Sequence, residues 1–325
     1  MSRTGAVVAA LLIACIVLFI VLGPRVPVDT TVTFDPSAIG DDPKSYLARR
    51  EAPFSDIREG LQREIIWVDP GSKARTPLSI VYVHGFSASK GEIRPVPDLV
   101  AQALGANLFY TRLAGHGRTG AAMAEATVNA WINDFAEAMA IGRAIGEEVV
   151  VMATSTGGGI AVWAAANQPA LMEKVKALVL VSPNFGVRAR GAWLLTKPWG
   201  GVLADWQTGG ERGFEPRNEL QARYWTTRYP TRATLPMAAV TELAAASPVE
   251  GVKVPALFLI SDGDRTVRPE VTRRLAAHWG APAEIFEVTN ADDPGQHVIA
   301  GDAFSPSATE GAARAIVDWV SALPR

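Results

Sequence analysis

Residues 149–166 read VVVMATSTGGGIAVWAAA, and this stretch decides the fold. An apolar, β-branched run leads to Ser155, three glycines follow, and an alanine-rich helical pattern completes the stretch. The order predicts a buried strand, a sharp corner that carries the serine, and then a helix. Such a helix directs its free N–H groups and positive dipole end toward the serine. Side chains two before and two after Ser155 must be small in so tight a turn, and Ala153 and Gly157 meet this requirement.

The same strand-then-helix rhythm continues along the chain outward from this corner. Several of the strand-like runs are continuously apolar, which is typical of parallel strands covered by helices on both faces. The alternation predicts an α/β fold with a doubly wound, mostly parallel sheet. The predicted strands lie in 63–69, 78–85, 106–113, 148–155, 176–183, 255–262 and 283–290, and the predicted helices span 96–104, 128–145, 158–167, 269–279 and 308–323.

Composition excludes several classes of protein. The chain has 325 residues, 48% of them hydrophobic, and a net charge of -2. A chain of this length and composition buries a sizeable core and is not disordered. Its near-neutral balance lacks the basic footprint of a nucleic-acid-binding protein. The single cysteine, Cys15, excludes an internal disulfide and a cysteine-based zinc or redox motif.

Residues 1–25 form a segment directed to a membrane. An uncharged apolar run extends over residues 6–22, between Arg3 and Arg25. As a helix it would span roughly 26 Å, at the short end of what crosses a bilayer. We favour an uncleaved anchor that holds an exported catalytic domain. A lipoprotein signal cut before Cys15 and an ordinary cleaved signal are the alternatives.

Three further divisions follow from the pattern. Residues 26–58 are polar and proline-containing, as in a linker that lifts a domain off a membrane. Residues 59–325 carry the regular strand and helix pattern. Within them, about 184–251 has no convincing buried strand and many aromatic residues, which predicts a helical cap insertion. Its aromatic side chains either pack a small core of the cap or wall a substrate pocket.

A serine nucleophile needs a base, and the chain has only four histidines. His84 ends a strand, His116 lies in a glycine-rich turn, and His278 adjoins a glycine that ends a helix. His297 lies in a loop between the last predicted strand and the last helix. A doubly wound hydrolase presents its base at this place, so we predict that His297 is the base.

The acid that orients the base is expected after an earlier strand, where the segment 255–267 offers Asp262 and Asp264. We favour Asp264, since Asp-Gly at 262–263 is a frequent turn dipeptide. The resulting order, serine then acid then histidine, is that of α/β-hydrolases. The N–H groups of Phe86 and Thr156 are the predicted oxyanion donors.

These motifs resemble the α/β-hydrolases of the carboxylesterase and monoacylglycerol-lipase type, a group that is also called lysophospholipase-like or serine aminopeptidase-like. The resemblance runs from about residue 64 to the C-terminus and rests on VYVHGFSAS, YTRLAGHGRTG, MATSTGGGIA, LISDGDRTV and HVIAGDAF. It implies a triad of Ser155, Asp264 and His297, no cofactor or metal, and ester substrates whose acyl chain lies beneath the cap. Ala153 departs from the glycine usual at that position of the corner, and Thr156 replaces a bulkier apolar residue.

The sequence therefore predicts a membrane-anchored serine hydrolase that cleaves carboxylic esters through an acyl-enzyme. Thioester hydrolysis, amide hydrolysis at an N-terminal residue and acyl transfer are alternatives on the same residues. A catalytically silent binding domain belongs to a different class of function. A small-molecule or lipid ester is the expected partner, and nucleic acid is not. The sequence carries no signal for the oligomeric state.

Overall fold

A computed structural model describes residues 3–324. Nine strands and ten α-helices are arranged along this range. The strands are β1 (Glu64–Ile66), β2 (Thr76–Val83), β3 (Asn107–Tyr110), β4 (Gly146–Thr154), β5 (Val175–Val181), β6 (Glu211–Gly213), β7 (Arg228–Pro230), β8 (Ala256–Ile260) and β9 (Ala283–Glu287). The helices are α1 (Arg3–Val21), α2 (Pro43–Glu51), α3 (Val96–Leu104), α4 (Val128–Ile145), α5 (Thr156–Asn167), α6 (Gly200–Thr208), α7 (Glu219–Tyr224), α8 (Thr234–Ala245), α9 (Pro269–Ala277) and α10 (Pro306–Ala322).

Seven strands form one sheet in the order β1-β3-β2-β4-β5-β8-β9. Only β1 runs antiparallel to its neighbour, and all other pairs in this sheet are parallel. The predicted doubly wound α/β fold is therefore confirmed. Successive side chains of β2 enter opposite cores: Val81 and Val83 pack with α4, α5 and α8, whereas Ile80 and Tyr82 pack with α3 and α10. Burial on both faces explains why the central strands are apolar without alternation.

Residues 26–58, which we predict as a linker, pack against the folded domain in the structure. The segment contains α2, and Ile39, Tyr46 and Leu47 are buried in the core that includes α4. The Tyr46 hydroxyl donates a hydrogen bond to Glu137 of α4. Most of the other residues of this segment are exposed or half-buried, so its few apolar anchors show no periodicity in the sequence. The segment is therefore packed on the domain and is not a free spacer. We call residues 26–58 the strap.

The predicted cap interval, about 184–251, holds α6, α7, α8 and a two-stranded ribbon of β6 and β7. The ribbon is short and largely exposed. Helix α8 differs from the rest of the interval because Ala239, Val240 and Ala244 join the core beside α5. The interval thus contains an outer cap and one helix that belongs to the layer over the sheet.

Helix α1 is 19 residues long, has a mean hydropathy of 3.0 and buries none of its residues. Its length and composition suffice to cross a membrane, and a signal sequence has the same properties. Cys15 lies within this helix and is exposed.

Candidate active site

Ser155 occupies the sharp corner between β4 and α5. Its backbone φ of 49° lies in the left-handed region, which non-glycine residues rarely adopt. Helix α5 begins directly after it, at Thr156. A side chain on Gly157 would place its Cβ 2.4 Å from the Val83 carbonyl oxygen, so only glycine allows β2 and α5 to approach so closely. Ala153 is fully buried and fits the same crowded turn.

The side chains of Ser155, His297 and Asp264 form one hydrogen-bonded chain. His297 Nδ1 lies 2.7 Å from Asp264 Oδ2, and His297 Nε2 lies 3.1 Å from Ser155 Oγ. A carboxylate only accepts hydrogen bonds, so the proton of the neutral ring is held on Nδ1 and Nε2 remains free to accept. The three residues predicted from the sequence are thus brought together by the fold.

Backbone N–H groups hold Asp264 in place. Its Oδ1 accepts from Thr266 at 2.7 Å and from Val267 at 2.9 Å, which leaves Oδ2 for the histidine. The alternative acid, Asp262, does not line the cavity at Ser155. It forms an ion pair with Arg273 at 2.8 Å, and half of its side chain is exposed. The structure therefore places Asp264, and not Asp262, beside His297.

Opposing influences set the pKa of His297. Burial alone would lower this pKa, but the hydrogen bond to Asp264 and the charge of that carboxylate raise it above the ordinary value, with further contributions from Glu92 and Asp293. A raised pKa makes the imidazole a stronger base toward the Ser155 hydroxyl.

Asp293 is a functional residue that the sequence analysis missed. Its Oδ2 accepts from the backbone N–H groups of His297 and Val298, and its Oδ1 accepts from Gly295. Arg217 of the cap pairs with the same carboxylate at 3.0 Å. Asp293 therefore shapes the loop that presents His297 and joins that loop to the cap. The Asp-Asp-Pro-Gly context of residues 292–295 indicates a turn but carries no signal of this role.

Two buried histidines position the segment that carries Phe86. Nε2 of His84 accepts from the Leu113 N–H, and Nε2 of His116 accepts from the Ser87 N–H. Both Nδ1 atoms lie within hydrogen-bond distance of carbonyl oxygens, so both rings are neutral. Burial lowers the pKa of His84 to about 4 and that of His116 well below its usual value. His278, in contrast, lies at the end of α9 with its Nδ1 2.8 Å from the Arg274 carbonyl oxygen.

The two predicted oxyanion donors face the same cavity as Ser155. Phe86 and Thr156 both line it, and within residues 3–324 neither backbone N–H donates to a protein acceptor. Buried N–H groups without a partner are rare in proteins. These two groups are therefore available to a developing negative charge on a bound carbonyl oxygen.

Glu92 is a second missed residue, and it places another carboxyl group in the site. Its Oε2 accepts from the Gly85 N–H at 2.7 Å and from the Tyr82 hydroxyl at 3.1 Å. A Cβ on Gly85 would lie 2.7 Å from Glu92 Oε1 and 3.0 Å from Ser155 Cβ, so the two side chains lie close together. Burial raises the pKa of Glu92 to about 7. The hydrogen bonds to its carboxylate and the charge of His297 act in the opposite direction but are weaker. Its sequence position indicates nothing of this burial.

A cavity of about 400 Å³ opens above Ser155. Phe214 and Trp225 of the cap and Phe304 of the domain supply aromatic walls. Its size matches a small-molecule site. Within residues 3–324, no group of three or more His, Cys, Asp or Glu side chains is arranged to hold a metal ion.

The sheet, the corner serine and the hydrogen-bonded His and Asp define the chain as an α/β-hydrolase. Within that class, residues 75–290 match the model of the family described as "Serine aminopeptidase, S33", and the chain belongs to this family. No curated protein sequence matches the chain at a significant level.

Solved structures show the same fold. A structure associated with the metagenome-derived lipolytic enzymes LipS and LipT is 20% identical, with a TM-score of 0.65 over 82% of this chain and 99% of that one. Monoacylglycerol lipase from Paleococcus ferrophilus is 20% identical, with a TM-score of 0.54 over 80% and 98%. A soluble variant of the Saccharomyces cerevisiae monoglyceride lipase is 11% identical, with a TM-score of 0.59 over 80% and 90%. At these identities the likeness concerns the fold.

Proposed function

We propose that the protein is a serine hydrolase that cleaves carboxylic esters through a triad of Ser155, His297 and Asp264. The observation that carries this proposal is the chain of hydrogen bonds from Asp264 through His297 to a serine in a left-handed backbone conformation. Strain of this kind at a corner between strand and helix is stored where a nucleophile must be exposed. A domain that only binds a ligand would gain nothing from such strain at a serine.

The geometry suggests a two-stage reaction. His297 Nε2 takes the proton from Ser155 Oγ while the oxygen attacks the ester carbonyl carbon, and the negative oxygen of the tetrahedral intermediate accepts from the Phe86 and Thr156 N–H groups. The imidazolium then protonates the leaving alkoxide, which leaves an acyl group on Ser155. Water, deprotonated by the same nitrogen, releases the acid and restores the serine.

The cavity favours esters with an apolar acyl part. Phe86, Val187 and Met237 line it together with the aromatic residues of the cap. The proteins of the same fold named above are lipases or lipolytic enzymes. The family description names an aminopeptidase, so amide hydrolysis at an N-terminal residue is the alternative that the substrate test must include.

A fluorophosphonate probe tests the reaction class. The native protein is expected to be labelled and the Ser155→Ala variant is not, while Ser182→Ala, a buried serine at the end of the neighbouring strand β5, keeps the label. Absence of labelling in the folded native protein would refute the hydrolase. Esters of graded acyl length, the matching thioesters and an N-terminal aminoacyl amide then distinguish the chemistries.

The N-terminal helix is proposed to be an uncleaved anchor of an exported catalytic domain. The helix continues past Cys15 to Val21 without a polar residue, whereas a mature lipoprotein would begin at that cysteine. The intact mass of the membrane-bound protein tests this. A mass that includes residues 1–25 supports the anchor, and a mass that begins at Cys15 or after residue 25 replaces it with a lipoprotein or a cleaved signal.

A further inference from the structure

One stretch of the cap exposes an unusual concentration of apolar side chains. Trp206 is 84% exposed and Trp193 is 63% exposed, and about half of each of Leu194, Val202 and Leu203 is exposed. Elsewhere in residues 23–324, large apolar side chains are exposed singly or in one adjacent pair. We call residues 193–206 the cap apolar surface. Such a concentration of exposed apolar side chains indicates an interaction site.

Helix α1 is attached to this surface. The ring of Trp199, in the middle of the stretch, stacks on Phe19 with centroids 4.5 Å apart. Its Nε1 donates to the Phe19 carbonyl oxygen at 2.8 Å, and its backbone N–H donates to Pro24 at 2.9 Å. A Cβ on Gly23 would lie 2.1 Å from Trp199 Nε1, so a glycine is required for this contact. The cap thus meets the last turn of the apolar helix.

The position of that contact indicates what covers the surface. A 19-residue helix spans roughly the hydrocarbon core of a bilayer, so its last turn lies at the boundary with the headgroups. Tryptophan is enriched at this depth because its ring is apolar and its N–H is polar. The exposed side chains next to Trp199 therefore lie at the level of the same boundary, where apolar groups enter lipid.

A second cavity, of about 340 Å³, lies behind the cap apolar surface. Leu194, Leu203 and Ala204 of that surface line it, together with two arginines and several other polar residues. Phe86, Val187 and Met237 line both this cavity and the one at Ser155. The two cavities therefore adjoin each other at these three apolar side chains, and together they extend from the cap apolar surface to the proposed nucleophile.

We propose that the cap apolar surface is immersed in the bilayer that holds α1, and that lipid esters reach Ser155 from the membrane through the second cavity. The entry route rests on the proposed ester hydrolase, whereas the membrane contact does not. A second copy of the chain or another protein on this surface is the competing occupant, and the tests below distinguish it.

Fluorescence quenching tests the contact independently of activity. The full chain is placed in phosphatidylcholine vesicles with and without brominated acyl chains, which quench only tryptophans within the lipid. Helix α1 contains no tryptophan, so anchoring alone contributes nothing. Quenching is expected to fall in Trp206→Phe and Trp193→Phe and to persist in Trp67→Phe, whose ring packs on the core. Equal quenching in Trp206→Phe and the native chain would overturn the proposal, as would no quenching at all.

Hydrolysis tests the route. Trp206→Ser is expected to lower cleavage of a long-chain ester in the same vesicles roughly tenfold, as expected for losing one large apolar contact. Cleavage of a water-soluble butyrate ester should stay within twofold, and Val68→Ser, which changes an exposed side chain outside the cap, should alter neither. Equal loss of both activities, or loss of neither, would overturn the route. If the native chain cleaves no ester, the proposed ester hydrolase is refuted. The quenching experiment would still test the contact between the cap apolar surface and the lipid.

Filling the second cavity provides an independent check on the route. Ala204→Leu adds bulk to its wall and is expected to lower the ratio of long-chain to short-chain ester cleavage by about tenfold or more. Gln207→Ala, on the same wall, removes bulk and is expected to leave that ratio equal or higher. An unchanged ratio in Ala204→Leu would show that acyl chains do not pass through this cavity.

Discussion

The carboxyl group of Glu92 is held 2.7 Å from the Gly85 N–H, directly beneath the segment that carries Phe86. This contact places a buried acid beside the proposed nucleophile without any direct link to Asp264. Since the pKa of Glu92 is raised to about 7 by burial, the group changes charge in the range where a hydrolase works. Glu92 and His297 influence each other's ionisation, so their titrations are coupled.

Removal of this charge is expected to move the pH profile of the enzyme. His297 must be neutral to act as base, so kcat/KM rises as the pH passes through its raised pKa. Glu92→Gln removes a negative charge that favours the imidazolium, and the acid limb of kcat/KM should move to lower pH by roughly one unit or less. Glu310→Gln, an exposed carboxylate on α10, serves as the control. An acid limb that stays in place or moves to higher pH would contradict this role of Glu92.

The same group should make stability depend on pH. The pKa of Glu92 is higher in the folded state than in the unfolded chain, so the folded state binds more protons between about pH 4.5 and 7. Its contribution to the free energy of unfolding is thus greatest at low pH and declines as the pH rises through this window. Glu92→Gln is expected to flatten that decline in denaturant titrations at several pH values, and an unchanged slope would show that the carboxyl is not buried as described.

The two aspartates near the end of β8 provide a matched test of the triad. Asp264→Asn keeps the shape of the side chain but presents an amide to His297, and it should lower kcat by about 10⁴-fold because the histidine adopts the wrong tautomer. Asp262→Asn breaks only an ion pair with Arg273 that is half exposed and should change kcat less than about threefold. Steady-state kinetics on one ester compares them. Comparable losses in the two variants would show that Asp264 is not the orienting acid.

Crowding at the corner leads to a further test. Gly157→Ala would place a methyl group 2.4 Å from the Val83 oxygen and 2.7 Å from the His84 oxygen, so β2 or α5 must shift. We expect a loss of more than tenfold in kcat and about 1–3 kcal/mol of stability. Gly311→Ala in α10 has nothing within 4 Å of its new methyl and should stabilise the protein by about 1 kcal/mol. Normal activity in Gly157→Ala would disprove the described approach of β2 to α5.

Ala153 in the same corner tests whether its departure from glycine matters. Ala153→Gly removes one methyl group from a fully buried site and should leave Ser155 reactive toward a fluorophosphonate. Ala153→Leu must fit three more carbon atoms into that space and should disrupt the turn, at a cost of about 1–3 kcal/mol or more. Loss of labelling in Ala153→Gly would mean that the methyl group itself is needed.

The sequence predicts those parts of the fold whose signals are local. Continuous apolar runs mark the strands because parallel strands are buried on both faces, and the small residues around Ser155 mark the corner because larger side chains do not fit there. Glu92 and Asp293 lack such a signal. Their roles arise from backbone N–H groups and side chains that come close to them only in the folded chain. The sequence alone does not distinguish a buried carboxyl group from an exposed one.

The strap of residues 26–58 escaped prediction for the same reason. Glu51, the last residue of α2, pairs with Arg63 and with Arg112, each at 2.7 Å, and both arginines are buried. Arg63 pairs in turn with two carboxylates of α4, at 2.9 and 3.0 Å. Apart from Glu51 and Arg63, these partners are separated by at least 61 residues in the sequence. A polar, proline-containing segment therefore has the sequence pattern of a linker although it completes a buried network of charges.

Glu51 therefore provides a test that separates a strap from a free linker. Glu51→Ala leaves two buried guanidinium groups without one of their partners, and we expect a loss of about 3–5 kcal/mol in the free energy of unfolding. Glu59→Ala removes an exposed carboxylate a few residues further along and should cost less than about 0.5 kcal/mol. Denaturant unfolding of the full chain in detergent measures both. If residues 26–58 were a spacer without contacts, the two variants would unfold at the same denaturant concentration, because neither side chain would have a buried partner to lose.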